Sequence, residues 1–445
     1  MRTCVLILAD LLAITLVSSG MLSGQVPPSS SWEYLGPEGG YLTAMAQNSS
    51  TGDLYAVSYG YPARVFRSTN NGDQWQNISQ VNDYIYHIAL DAQSPQNIVA
   101  VGSSLGSGTN LWIYKSTDAG QTWGQRHFAG QASTYYYPQH LEVDPVDSRK
   151  LTLAGYSYYY QGGAGVISPF ECRTTDGGET WTVARYPNVT LDEFYVLCSA
   201  TDPVDNRIRY IGGYVYASGY SVGKLYRTSD SGLNWTDITG TSLQGFVYDL
   251  HIDRTNPNKV FAVTSAGVYA STDKGSTWLT TPRYAYGNRI CCDPKSSSVL
   301  FVYGSGTTVY RSSDGGTNWE SLKGTLSGGS CTSLLLNSSI SGTLYASTHS
   351  GFYRSVNGGQ TWTAANKGLM SAQVPVLKCA PSAPKSMYIS FMYSGFYKTS
   401  NTLSKPSAAG IDWQKMPEYS YCEGIMHMEV HPTNPDIIYI QEGAG

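Results

Sequence analysis

The chain has 445 residues, two to three times an ordinary domain, so it is either several domains or one repetitive one. Charged residues supply 13% of it, and 28 basic against 32 acidic side chains leave −4, which gives no electrostatic footprint for nucleic acid or an anionic membrane. The 47 Gly and 20 Pro are too few for collagen or bulk disorder, and 36 tyrosines point to an exported all-β protein, not a helical bundle.

In chain order, residues 1–24 read as a secretory signal: Arg2 is the positive end, Cys4 to Val17 the apolar run, and Ser18, Ser19, Gly20, Ser23 and Gly24 the small residues that follow. The run is shorter than the roughly 18 residues that cross a bilayer. The expectation is therefore a secreted, extracellular or cell-surface protein without a membrane span. Residues 25–31 read as a short linker, and Trp32 to Leu35 as an orphan fourth strand before the first repeat.

From Ser68 onward one pattern recurs eight times: Ser/Thr, any, Asp/Asn, any, Gly, any, Thr/Asn/Gln, Trp. Its acidic or amide positions are Asn70, Asp118, Asp176, Asp230, Asp273, Asp314 and Asn357, and an insertion breaks the eighth copy after Asn401. The closing tryptophans are Trp75, Trp123, Trp181, Trp235, Trp278, Trp319, Trp362 and Trp413, spaced 48, 58, 54, 43, 41, 43 and 51 apart. Repeats of this length mean a solenoid or a propeller.

The motif reads as a turn. A carboxylate or amide two residues past a hydroxyl bonds the backbone N–H groups ahead of it, and the Gly takes a left-handed conformation. Trp then starts the returning strand and buries its ring between units. One Asp per copy is too few for a calcium loop, so no metal and no cofactor is expected. An aromatic–basic pair precedes most copies, as in Tyr114-Lys115, Tyr226-Arg227 and Tyr353-Arg354. In the fifth unit, strands A to D are read at 248–253, 259–264, 267–271 and 278–281, four strands per repeat as in a propeller blade.

These residues form the motif called the Asp-box, or bacterial neuraminidase repeat. On them, residues 32–441 resemble the Asp-box β-propellers: sialidases, xyloglucanases, sortilin-type receptors and photosystem II assembly factors. The resemblance implies an all-β fold of four-stranded antiparallel blades, with the boxes at the edge away from the ligand face. His427 to His431 and Ile437 to Gln441 read as the first two strands of a partial ninth unit, and 442–445 as a truncated end. One ring of eight to ten blades and seven blades followed by the start of a second propeller both fit this count.

The motifs that the enzymes of this superfamily imply are missing. No Phe/Tyr-Arg-Ile-Pro precedes the first box, and Val57 to Tyr61 holds no carboxylate where xyloglucanases carry Arg-Thr-Asp-x-Gly-Gly. Glycoside hydrolysis needs two placed carboxyls. Asp83, Asp192 and Glu193 lie in suitable loops but read as solvated acids. Gly219 to Gly223 matches G-x-S-x-G by letter, yet it sits between two strands instead of at a strand–helix elbow. Removing Cys4 with the signal leaves seven cysteines, read mainly as buried thiols in apolar slots, with one or two disulfides left open.

Tyrosine placement is the remaining signal. Twenty of the 36 fall in B–C and D–A loops, which share one face. Candidate contact residues are Tyr59, Tyr61, Tyr136, Tyr137, Tyr158, Tyr159, Tyr160, Tyr216 and Tyr220. Two readings stay open. In one, an exported non-catalytic propeller binds polysaccharide or an extracellular protein through this face. In the other, the chain is a glycoside hydrolase of xyloglucanase or sialidase type with divergent or missing acids.

Overall fold

The computed structural model describes most residues from 38 to 442. Residues 1–37 and several internal stretches, among them 104–110, 187–192, 370–375, 401–412 and 417–424, lie outside that description. The signal, the linker, Trp32 to Leu35, Asp192, Cys422 and the middle of the eighth box therefore fall outside it.

Eight four-stranded antiparallel sheets follow one another, and a two-stranded pair (Ile425–Val430 with Ile438–Glu442) comes after them. Each sheet is a simple up-and-down meander. The sheets occupy 42–81, 84–128, 134–184, 194–237, 247–280, 289–322, 331–364 and 376–415, numbered one to eight below. In sheet five the strands are Val247–Ile252, Val260–Thr264, Gly267–Ser271 and Leu279–Thr280, within a residue or two of the expected A to D. Trp278 precedes the last strand instead of opening it. This is the expected all-β propeller architecture, built blade by blade.

The box turns out as the physical reading requires. In box five, Ser271 Oγ donates to Asp273 Oδ1 at 2.7 Å and accepts the Gly275 N–H at 2.7 Å. Asp273 also takes the Thr277 N–H at 2.8 Å and the Thr277 hydroxyl at 2.7 Å. Gly275 has φ +84°, and a Cβ there would meet Ile238 of the preceding blade at 2.6 Å. The residue before the Gly is left-handed too, as at Asn71, Ala119, Ser231 and Lys274. These bonds hold the carboxyls low: Asp118, Asp230 and Asp273 each fall to about 2, chiefly through the partner four residues on.

At several blade boundaries the tryptophan reaches backwards and the basic residue forwards. Trp278 Nε1 donates to Ile238 O at 3.0 Å, and Trp123 Nε1 to Ser79 Oγ at 3.0 Å. Arg173 Nη1 donates to Ser231 O at 2.9 Å, and Arg227 Nη1 to Lys274 O at 2.8 Å, each a carbonyl of the next box. The basic residue before the box thus staples blade three to four and blade four to five. Sheet seven makes the same contacts with sheet one: Arg354 Nη1 donates to Asn71 O at 3.1 Å, and Trp75 Nε1 to Ala365 O at 3.1 Å. Leu42, Phe66, Trp75, Tyr345 and Phe352 share one buried cluster. Sheet eight packs with the final pair in a separate cluster of Tyr388, Phe396, Met428 and Val430.

Near the axis, register places Ala44, His87, His140, Cys198, Asp249, Arg289 and Ser333 at equivalent positions of the seven innermost strands. Side chains here tie blade two to three, three to four and five to six. His87 Nε2 meets Pro138 O at 3.3 Å, His140 Nδ1 meets Ser199 Oγ at 3.1 Å, and Asp249 Oδ2 takes the Ile290 N–H at 2.9 Å. Burial and the positive charge of Arg289 push His87 down to about 3 and His140 to about 4. Cys172, Cys198, Cys291, Cys292 and Cys331 are free thiols, the first two and Cys331 fully buried as apolar filling.

Candidate functional site

Opposite the boxes, blades three and four rise above their neighbours. The two middle strands of blade three, Leu151–Gln161 and Ala164–Thr174, have 11 residues each, and those of blade four, Arg209–Ala217 and Tyr220–Thr228, have 9. Blade five manages with 5 each. Six extra residues at about 3.3 Å apiece lift the blade-three hairpin by roughly 20 Å. Half of the twenty tyrosines assigned to loops from the sequence are therefore strand residues of these ladders: Tyr135 to Tyr137, Tyr158 to Tyr160, Tyr195, Tyr214, Tyr216 and Tyr220, with Tyr156 beside them.

Register then stacks them. Tyr137 faces Tyr156 and Tyr195 faces Tyr214 across neighbouring strands. Their ring pairs are nearly parallel, at 4.9 Å and 17° and at 4.5 Å and 9°. Tyr156 meets Tyr195 at 5.0 Å across the blade boundary, and Tyr214 meets Phe246 at 4.8 Å, so one arc runs from blade three to blade five. A shorter arc joins Tyr41, Tyr59, Tyr84 and Tyr61 on blades one and two. Burial, followed by the neighbouring phenols, raises Tyr156 to about 12, so its hydroxyl stays protonated.

Inside an arc, ring faces are spent on one another, and what remains is edge and hydroxyl. The rings that stay open to solvent are Tyr220 (76%), Tyr160 (67%), Tyr61 (52%), Tyr216 (48%) and Tyr137 (42%). Tyr59 stacks on Tyr41, and Tyr158 sits between Tyr135 and Tyr160. Tyr159 is half-buried. Tyr136 is drawn into the blade interface, edge-on to Phe170 at 5.1 Å, which takes its ring off the face. Tyr86 and Tyr135, outside the sequence-based candidates, are exposed on the same side.

The acids of this face differ from expectation. Asp83 is fully buried, and the Tyr114 hydroxyl donates to its carboxylate. It is not a solvated loop acid, because the surrounding Val81, Ile85 and Tyr114 close over it. Glu193 is half-buried on a left-handed backbone, φ +74°, with its carbonyl accepting the Tyr216 N–H. Among the described residues no cluster of three or more His, Cys, Asp or Glu side chains could hold a metal, and no helix is long and apolar enough to cross a membrane.

The family model described as "Sortilin, neurotensin receptor 3" (Sortilin-Vps10) matches residues 223–323. The xyloglucanase Xgh74A of Acetivibrio thermocellus is 29% identical over 209 residues, covering 44% of this chain and 21% of that protein. A xyloglucanase of Hypocrea jecorina is 25% identical over 387 residues, covering 68% of this chain and 45% of that one. The chain thus spans less than half the length of these relatives. The crystal structure of an ancestral GH74 enzyme superposes with a TM-score of 0.42 at 13% identity, over 94% of this chain and 76% of that one. Seven intact boxes, each leading into the last strand of a four-stranded antiparallel sheet, and the sortilin-type match over residues 223–323 support a BNR-like (Asp-box) β-propeller superfamily for this chain.

Proposed function

We propose that this is an exported propeller that binds a neutral polysaccharide, without cleaving it, on the face raised by blades three and four. The observation that carries the reading is the exposure of Tyr137, Tyr160, Tyr216 and Tyr220 on adjoining strands of blades three and four. An amphipathic ring offers an apolar face to sugar C–H groups and a hydroxyl to their oxygens. Relatives named xyloglucanase favour a carbohydrate over a protein partner. In this reading sheets one to seven form one closed ring, supported by the Arg354–Asn71 and Trp75–Ala365 bonds, and sheet eight begins a second. The signal-like residues 1–24 support export.

The second reading, a glycoside hydrolase, draws on the same relatives. Against it, the Asp83 carboxylate is sealed from solvent, and a general acid or nucleophile has to reach the scissile bond. A glycan array followed by reducing-sugar assays on each hit separates the two. Retention without release is expected. Release abolished by neutralising a single acid of this face would establish the hydrolase, and an array with no hits would sink both.

A further inference from the structure

At the foot of the blade-four hairpin lies a cavity of about 470 Å³, large enough for a small ligand. Its walls come from the third strand of blade four, Ser221 to Lys224, and from the crossing to blade five, Asp237 to Phe246. Two glycines let its two walls meet closely at one edge. A Cβ on Gly223 would run into the carbonyl of Gly245, and Gly245 itself has φ +81°. The crossing is pinned in place, since Phe246 N–H donates to Ser265 Oγ at 3.0 Å and Leu225 N–H to Thr239 Oγ1 at 2.9 Å. The G-x-S-x-G letters at 219–223 thus have a structural use unrelated to a nucleophile: Ser221 and Gly223 form one wall.

The polar lining is specific. Lys224 Nζ donates to Asp237 Oδ2 at 2.6 Å, and Asp237 Oδ1 takes the Thr239 N–H at 2.9 Å. The pair cancels in charge but leaves an ammonium donor beside carboxylate lone pairs, the two partners that adjacent hydroxyls of a sugar use. Gln244 adds an exposed amide, and Leu243, Val222 and Phe246 an apolar side. Phe246 also ends the aromatic arc through Tyr214. A polymer lying on the arc would therefore reach the cavity directly.

We infer that the cavity between Lys224, Asp237, Gln244 and Phe246 is a subsite for one neutral pyranose unit, a branch or chain end of the polysaccharide held on the tyrosine face. It rests on the polysaccharide reading of that face and adds the position at which a single sugar is recognised. A uronate is disfavoured because Asp237 already occupies the only cation of the site.

The test uses three probes on the full chain: a linear neutral glucan hexasaccharide by calorimetry, and methyl β-glucopyranoside and methyl β-glucuronide by saturation-transfer NMR. The double variant Lys224→Met/Asp237→Leu should lose the methyl glucoside signal and bind the hexasaccharide about tenfold more weakly, the effect of one good polar pair. Tyr137→Ala/Tyr160→Ala should keep the glucoside signal while losing hexasaccharide affinity. Gln244→Trp, which fills the cavity from an exposed position, repeats the first result should the double variant melt early. A double variant that binds both neutral probes like the wild type, or a stronger signal from the glucuronide, overturns the subsite and leaves the face reading intact. Glucoside binding with no hexasaccharide binding keeps the subsite and removes the face.

Discussion

The two ends of each blade obey different rules. At the box end, the Asp carboxylate, the Ser/Thr hydroxyl and the residue four positions on use their polar atoms on one another, and the seven copies are nearly superimposable in their bonds. At the other end nothing repeats: the middle strands run from 4 to 11 residues, and aromatic side chains crowd blades three and four. A rim whose boxed carboxylates and hydroxyls bond one another has little to offer a ligand, while a face with unspent edges and hydroxyls has more. The comparison teaches that repetition marks the scaffold and irregularity marks the site.

The largest predicted break comes at the scaffold end. Trp278 is 4% exposed and wedged against blade four, so Trp278→Ala should cost about 3–5 kcal/mol in denaturant unfolding. A loss under 1 kcal/mol would deny it the wedge role.

Acid should dismantle the scaffold in two stages. His87, His140 and His251 are held neutral, at about 3, 4 and 4, chiefly by burial. Unfolding lets them charge near 6.5, so their contribution, present above that pH, is lost as pH falls from 6.5 towards 4. The boxed aspartates at about 2 lie below the ordinary 3.8, so theirs is present above about 4 and lost as pH falls from there towards 2. Stability measured in urea across pH 7 to 2 should decline through both windows. A flat curve between 6.5 and 4 would contradict the histidine part.

At the other end, the triple variant Tyr137→Ala/Tyr160→Ala/Tyr220→Ala should lose at least about tenfold in polysaccharide affinity. All three rings are more than two-fifths exposed, so the unfolding midpoint should stay near wild type. A parallel loss of stability would make them structural.

Smallest of all should be Asp273→Asn. Boxes one and seven already carry Asn, and Asn357 still takes the Thr361 N–H at 2.9 Å while its amide donates to the Thr361 hydroxyl at 2.8 Å. The change should cost under about 1 kcal/mol at pH 7, since the carboxylate is solvent-exposed, and should shrink the decline below pH 4. An unchanged acid limb would remove Asp273 from that account.

Sequence legibility follows the same division. The boxes could be read because their bonds are local, so Asp230, Gly232 and Trp235 carry their own evidence. A second turn repeats less visibly: Asn48, Asp91, Asp202, Asp253 and Asn337 each accept the N–H groups two and three residues on, closing the A–B turns. Asp202-Pro203 and Asp144-Pro145 were the available signal. The face could be located but not resolved, because Tyr136 and Tyr137 are neighbours whose side chains leave a strand on opposite sides. One enters the core and the other the surface, and only the register decides which. Asp83 was misread for a related reason: its burial comes from Tyr114, 31 residues away.

The account stands or falls on affinity electrophoresis in gels cast with a neutral polysaccharide such as xyloglucan, comparing wild type, the tyrosine triple variant and Asp273→Asn. The prediction is strong retardation of wild type and Asp273→Asn and free migration of the folded tyrosine variant. Equal retardation of all three, or free migration of all three, would contradict it.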